Sequence, residues 1–143
     1  MNILMMAAGT GGHVFPALAV ADELTKRGAT VHWLGTPNGM ENDLVAKHGH
    51  KMHHVDMQGL RGKGLARVVK LPFMLFKAVM KAKNIIASER IDAVVGFGGY
   101  VTAPGGLAAK LSKKPLIIHE QNAIVGMSNK NLARHADKIL QAF

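Results

Sequence analysis

The sequence predicts an α/β fold built on a doubly wound parallel sheet, and three observations carry that expectation. Short apolar runs alternate with segments of helical periodicity, glycines sit just past the first two helical patterns, and two glycine-rich turns each separate a strand pattern from a helix pattern.

Taken in order, Asn2-Ile3-Leu4-Met5-Met6 reads as the first strand, over 2–7, and runs into Ala7-Ala8-Gly9-Thr10-Gly11-Gly12-His13. A helix opening at Pro16 is expected over 16–27, closed by Gly28, because proline is preset for a first helical turn and glycine for the residue past the end. A strand over 30–35, a helix over 39–48 closed by Gly49 and a strand over 51–56 complete the first half. Leu65 to Lys83 reads as a helix that Pro72 starts or kinks. A strand over 92–96 then leads into a second glycine turn, Gly96-Phe97-Gly98-Gly99-Tyr100. A helix near 101–112, a strand over 115–119, a helix near 126–135 and a strand over 137–141 follow. Two βαβαβ halves imply a Rossmann-like sheet of six strands in the order 3-2-1-4-5-6. Strands 1 and 4 are then neighbours, and the two glycine turns face one crevice at the switch point where such sheets bind ligands.

Composition narrows the function. At 143 residues, 48% of them apolar, the chain fits one domain with a real core. It has no cysteine, so disulfides, thiolate metal sites and thiol catalysis are excluded, which suits a reducing cytoplasm. No apolar run approaches the ~18 residues that cross a bilayer, and the apolar start lacks a basic leader region, so it reads as a strand of an intracellular protein. The formal charge is +9, and its distribution says more than its size. Between Met57 and Ser88 there are seven basic residues (Arg61, Lys63, Arg67, Lys70, Lys77, Lys81, Lys83) and no acidic one, so this segment holds +7 of the +9.

A glycine turn entering a helix suits an anion, because the backbone can approach closely and the helix start carries positive partial charge. The common versions do not fit. Val14 stands where a dinucleotide motif needs its third glycine, Gly35-Thr36 stands where it needs a ribose-binding acid, and no P-loop string occurs. His13, beside the first turn, suits either a base or phosphate donor or a helix-start residue bonded to its own backbone. His119-Glu120-Gln121-Asn122 follows strand 5 and reaches the same sheet edge, where such residues serve function or cap a helix. No metal site is expected at His48, His50, His53 and His54, because neighbours on a strand point to opposite faces and no carboxylate cluster accompanies them in the sequence.

Along Leu65–Lys83, Arg67, Lys70, Lys77 and Lys81 are spaced by 3, 7 and 4 and share one stripe, with more apolar residues between them than one sheet-facing side needs. Such a helix suits an in-plane anchor on anionic lipid, or an ordinary connecting helix with a solvated basic face. Nucleic acid would also answer the charge, but aromatic residues are only 5% of the chain and the basic segment lacks stacking platforms, so no nucleic-acid partner is expected.

Four motifs, in order, resemble the N-terminal half of the MurG glycosyltransferases: Gly9-Thr10-Gly11-Gly12-His13-Val14-Phe15-Pro16, Gly59-Leu60-Arg61-Gly62-Lys63-Gly64, Gly96-Phe97-Gly98-Gly99-Tyr100 with Pro104-Gly105-Gly106, and His119-Glu120-Gln121-Asn122. The resemblance runs from end to end. It implies the first half of a GT-B fold, residues 1–143 forming an acceptor-binding, membrane-facing domain, with the C-terminal UDP-sugar domain absent. The activity implied is transfer of N-acetylglucosamine from UDP-N-acetylglucosamine to the muramyl 4-hydroxyl of lipid I, giving lipid II for peptidoglycan, with no turnover by this domain alone. Another GT-B enzyme acting on a different glycolipid is the alternative. The resemblance also implies that Thr10, Gly11, Gly12 and Asn122 reach the donor, and that His13, Gly98, Gly99 and Tyr100 receive the acceptor's diphosphate. His13 is the expected base or its partner, Glu120 the competing carboxylate. Val69, Phe73, Phe76 and Val79, with Lys77 and Lys81, match the family's membrane patch at the cytoplasmic face of the inner membrane, where anionic lipids are the partners; Lys110 stands at a position often aromatic. No cofactor is expected, UDP-N-acetylglucosamine being a substrate, and no D-x-D string is present to hold a metal-diphosphate complex.

Overall fold

The computed structural model describes residues 1–9, 11–56, 65–99, 101–120 and 136–141, and leaves the side chains of 65–68, 120 and 141 undescribed. Ten elements follow in chain order: β1 (Asn2–Ala7), α1 (Gly11–Lys26), β2 (Thr30–Gly35), α2 (Glu41–Lys47), β3 (Lys51–His54), α3 (Leu65–Ser88), β4 (Ala93–Gly98), α4 (Thr102–Leu111), β5 (Leu116–Glu120) and β6 (Lys138–Gln141). The six strands form one parallel sheet in the order β3-β2-β1-β4-β5-β6, as expected. The helix expected near 126–135 lies outside the described residues.

Alternation along β1 splits the core between the two faces of the sheet. Leu4 and Met6 join Leu34, Val94 and Ile118 beneath α3 and α4, while Ile3, Met5 and Ala7 join Val31, Trp33 and Phe97 beneath α1. Gly105 brings α4 down onto β1: a Cβ there would overlap Met6 Sδ.

Two boundaries and one strand register differ from expectation in ways that matter for the site. Helix α1 opens at Gly11, so Pro16 is an interior residue. The strand ends at Ala7, Gly9 turns the chain with a φ of +94°, and the helix starts at Gly11. Pro16 then costs one helical bond, that to the Gly12 carbonyl. Strand β4 continues through Phe97 to Gly98, which shortens the second turn to its last residues. The β1–β4 register also shifts, from Met6 opposite Gly96 to Ala7 opposite Gly98. Phe97 is thus an extra residue, a bulge at the end of the strand that feeds the crevice.

Candidate functional site

The bulge sets the geometry of the crevice. Phe97 turns its fully buried ring into the core under α1, and Gly98 and Gly99 follow with φ of +126° and +98°, values that L side chains rarely adopt. Both glycines press against the first turn. A Cβ on Gly98 would lie 2.6 Å from Cδ2 and 2.7 Å from Nε2 of His13, and a Cβ on Gly99 would overlap the Ala8 carbonyl oxygen and sit 3.0 Å from the Ala8 nitrogen. Ala8 N–H donates across the gap to the Gly98 carbonyl at 3.4 Å. Helix α4 is tied to the same point, because Thr102 N–H and its buried hydroxyl donate to the Gly99 carbonyl at 3.2 and 2.7 Å. The two turns therefore interlock.

His13 lies in the first turn of α1, in a half-buried position. Its Nδ1 is 3.3 Å from the Ala8 carbonyl. A carbonyl can only accept, so this hydrogen bond puts the proton of the neutral ring on Nδ1 and leaves Nε2 the basic nitrogen. The two readings of His13 open in the sequence are thus compatible: the backbone bond orients the ring, and the orientation fixes which nitrogen can take a proton. Neither α1 nor α4 has an acidic residue in its first turn, whereas α2, off the crevice, has Glu41 and Asp43. Both helix starts beside the crevice are therefore suited to an anion.

The structure brings Gly11, Gly12, His13, Gly98 and Gly99 together. His119 joins them from the end of β5, its ring stacked on Phe97 at 4.8 Å between centroids. Glu120 is the last residue of β5, with its side chain undescribed, and Thr10, Tyr100, Asn122 and the Gly59–Gly64 motif lie outside the described residues. Sequence reasoning missed Ala8 and Trp33. The Trp33 indole N–H donates to the Ala7 carbonyl at 3.0 Å in the core, holding the strand end from which the first turn springs. A lone tryptophan in a buried strand gives no signal of that role.

On α3, Val69, Phe73 and Phe76 are 62%, 68% and 66% exposed. Val79 is not with them: at 8% exposure it packs in the core beneath α3, because at about 100° per residue it lies roughly 90° round the helix from the centre of the stripe formed by Val69, Phe73 and Phe76. Met80 takes its place in the exposed stripe. Lys70, Lys77 and Lys81 are exposed along one border of that stripe and Lys83 along the other. No described helix is long and apolar enough to cross a membrane.

The histidines also depart from expectation, because carboxylates reach them from distant elements. Asp22 of α1 accepts from His48 Nδ1 at 2.7 Å and from His50 Nε2 at 3.0 Å. Burial raises the Asp22 carboxyl, but the hydrogen bonds and charges of the two histidines outweigh it and the pKa is lowered. Across the sheet, His32 Nδ1 and His53 Nε2 are 3.1 Å apart, with Glu89 at 3.9 Å from His32. Burial holds both imidazoles below their usual pKa; the charge of His53 adds to this at His32, while Glu89 opposes it at both.

Residues 3–141 match the glycosyltransferase family 28 N-terminal domain. The chain belongs to this family. Among relatives of this family 28 domain is the UDP-N-acetylglucosamine–N-acetylmuramyl-(pentapeptide) pyrophosphoryl-undecaprenol N-acetylglucosamine transferase of Psychrobacter cryohalolentis, 68% identical over 99% of the chain. The protein of the same name from Pseudomonas savastanoi pv. phaseolicola is 57% identical over the same share. The chain spans 39% and 40% of those relatives' lengths. The crystal structure of Acinetobacter baumannii MurG superimposes with a TM-score of 0.89 at 50% identity, over 99% of the chain and 41% of that structure. The family 28 domain thus has the fold of the N-terminal half of a GT-B enzyme.

Proposed function

We propose that this family 28 domain is the acceptor-binding, membrane-facing half of an inverting N-acetylglucosaminyltransferase. The whole enzyme moves N-acetylglucosamine from UDP-N-acetylglucosamine to the muramyl 4-hydroxyl of lipid I, and so serves cell-wall synthesis, cell shape and division. The observation that carries the reading is the interlocked pair of glycine turns with His13 laid over Gly98, in a chain 68% identical to a relative of that name.

In the proposed reaction the acceptor O4 attacks the sugar C1 in one displacement, UDP leaves with the bonding electrons, and the O4 proton passes to a base. His13 Nε2 is the base, or hands the proton on to Glu120. Gly11, Gly12, Gly98 and Gly99 allow the acceptor's diphosphate to approach two helix starts, with Tyr100 beside it, while Thr10, Gly11, Gly12 and Asn122 touch the donor across the cleft. No metal is assigned to the transfer step, in keeping with the missing D-x-D string. The α3 stripe of Val69, Phe73, Phe76 and Met80, bordered by lysines, supports peripheral attachment to anionic lipid at the cytoplasmic face of the inner membrane.

The test uses the full-length protein with a panel of glycolipid acceptors. Transfer should be confined to lipid I and its analogues, His13→Ala should lower kcat by roughly 10²–10⁴, and residues 1–143 alone should give no turnover. Equal rates on an unrelated glycolipid would overturn the acceptor assignment.

A further inference from the structure

We propose that Asp22, His48 and His50 form a binding site for one first-row divalent transition-metal ion, with Zn²⁺ as the probe, at the sheet edge opposite the glycine turns. Asp22 lies in the C-terminal half of α1, His48 caps α2 and His50 immediately precedes β3, so the cluster sits at the strand N-termini. It is separate from the crevice where transfer is proposed.

The local backbone builds the site. Gly49, at φ +76°, reverses the chain at the end of α2, and the N–H groups of His48, Gly49 and His50 return to the carbonyls of Leu44, Ala46 and Val45. This helix-ending turn brings both imidazoles to one side, stacked at 6.2 Å and 25°. The His50 ring lies between His48 and Trp33, whose ring is 6.4 Å away, and its side chain is only 4% exposed, so its orientation is fixed before any ion arrives. Asp22 and His48 are each more than a third exposed, which leaves a path for an ion and room for water to complete its coordination.

Distances and donor chemistry agree. The three ligand atoms lie within 4.8 Å of one another, and the two histidine-to-carboxylate separations are 2.7 and 3.0 Å. Tetrahedral Zn²⁺ with bonds of about 2.0–2.1 Å needs ligand atoms about 3.3 Å apart, so the two histidine-to-carboxylate separations, made to the two Asp22 oxygens, have to open by about 0.3–0.6 Å, and the imidazole nitrogens, at most 4.8 Å apart, have to settle at the same spacing. Two imidazoles and one carboxylate favour Zn²⁺ and its neighbours over Mg²⁺ or Ca²⁺. On binding, His48 Nδ1 and His50 Nε2 exchange their proton for the metal, each neutral ring carrying its proton on the other nitrogen, and Asp22 turns from hydrogen-bond acceptor into ligand. The second cluster, His32, His53 and Glu89, is less suited: His32 is sealed in the core, and Lys51 at both histidines and Lys81 at His53 oppose a dication.

The experiment is a ZnCl₂ titration of the full 143-residue chain, purified without a histidine tag and stripped with chelator, read by calorimetry and thermal melting, with Co²⁺ absorption reporting the ligands. One ion per chain should bind saturably and raise Tm. His48→Ala and Asp22→Ala, both at accessible positions, should each weaken binding at least tenfold, with His48→Ala keeping the parent's circular dichroism. Absence of 1:1 binding up to about 1 mM Zn²⁺ overturns the proposal. So does binding that is unchanged in His48→Ala, or that is lost in His53→Gln instead.

Discussion

Replacing Gly99 by alanine tests whether the two glycine turns are truly interlocked. Gly99 has φ +98°, which costs an L residue about 1–2 kcal/mol. The added Cβ would also overlap the Ala8 carbonyl oxygen and lie 3.0 and 3.1 Å from the Ala8 nitrogen and carbonyl carbon. These are backbone atoms at the end of β1, and no side-chain rotation relieves the overlap, so overpacking adds about 1–3 kcal/mol. The expected loss is about 2–5 kcal/mol. Gly28 supplies the control, since its φ is +94° and a Cβ there would meet nothing within 4 Å. Gly28→Ala should therefore lose only the dihedral part, about 1–2 kcal/mol. With a urea slope of about 2 kcal/mol/M, the midpoint should fall by about 1–2.5 M for Gly99→Ala and by less than about 1 M for Gly28→Ala. Urea unfolding followed by circular dichroism at 25 °C measures both. Equal shifts for the two variants would refute the reasoning, since the difference between them is the contact of one turn with the other.

Trp33→Phe should destabilise the chain by about 1–3 kcal/mol, because the buried Ala7 carbonyl loses its indole donor, and full-length enzyme carrying it should lose kcat as the first turn loosens; an unchanged urea midpoint would contradict this. Phe73→Glu with Phe76→Glu should abolish sedimentation with anionic liposomes at low salt, because two exposed rings become charges that anionic lipid repels, while the far-ultraviolet spectrum stays that of the parent; retained binding would remove α3 from the membrane contact. Acid should weaken the fold through His32 and His53. Their folded pKa values lie below the unfolded 6.5, so the unfolded chain binds more protons in that window. Stability is then fully present above about pH 6.5 and lost as the pH falls through the folded values, and His53→Gln should flatten the loss between pH 7.5 and 5.5. A urea midpoint that rises toward pH 5.5 would have the wrong sign.

Much of this architecture was legible in the residues because it is written in local terms. Short runs of strand pattern between helical patterns located each described strand to within a residue or two, and the strand count together with the two halves gave the order β3-β2-β1-β4-β5-β6. Boundaries set by competition were less legible. Pro16 suggested a helix start, but Gly9 had already turned the chain and the helix began at Gly11. Val79 fitted the pattern of an apolar patch, yet burial under α3 assigned it to the core and left Met80 outside.

By itself, the sequence determined the fold class, the pairing of two glycine turns at neighbouring strands and the family motifs, since periodicity, turn chemistry and residue order are properties of the chain. Only the tertiary structure decided the contacts between segments far apart in the chain. The bulge at Phe97 that sets Gly98 beneath His13, the Trp33 bond to Ala7, and Asp22 brought to His48 and His50 join residues 26 to 85 positions apart. Such proximity is created by the packing of helices on a sheet, and no local pattern of residues encodes it.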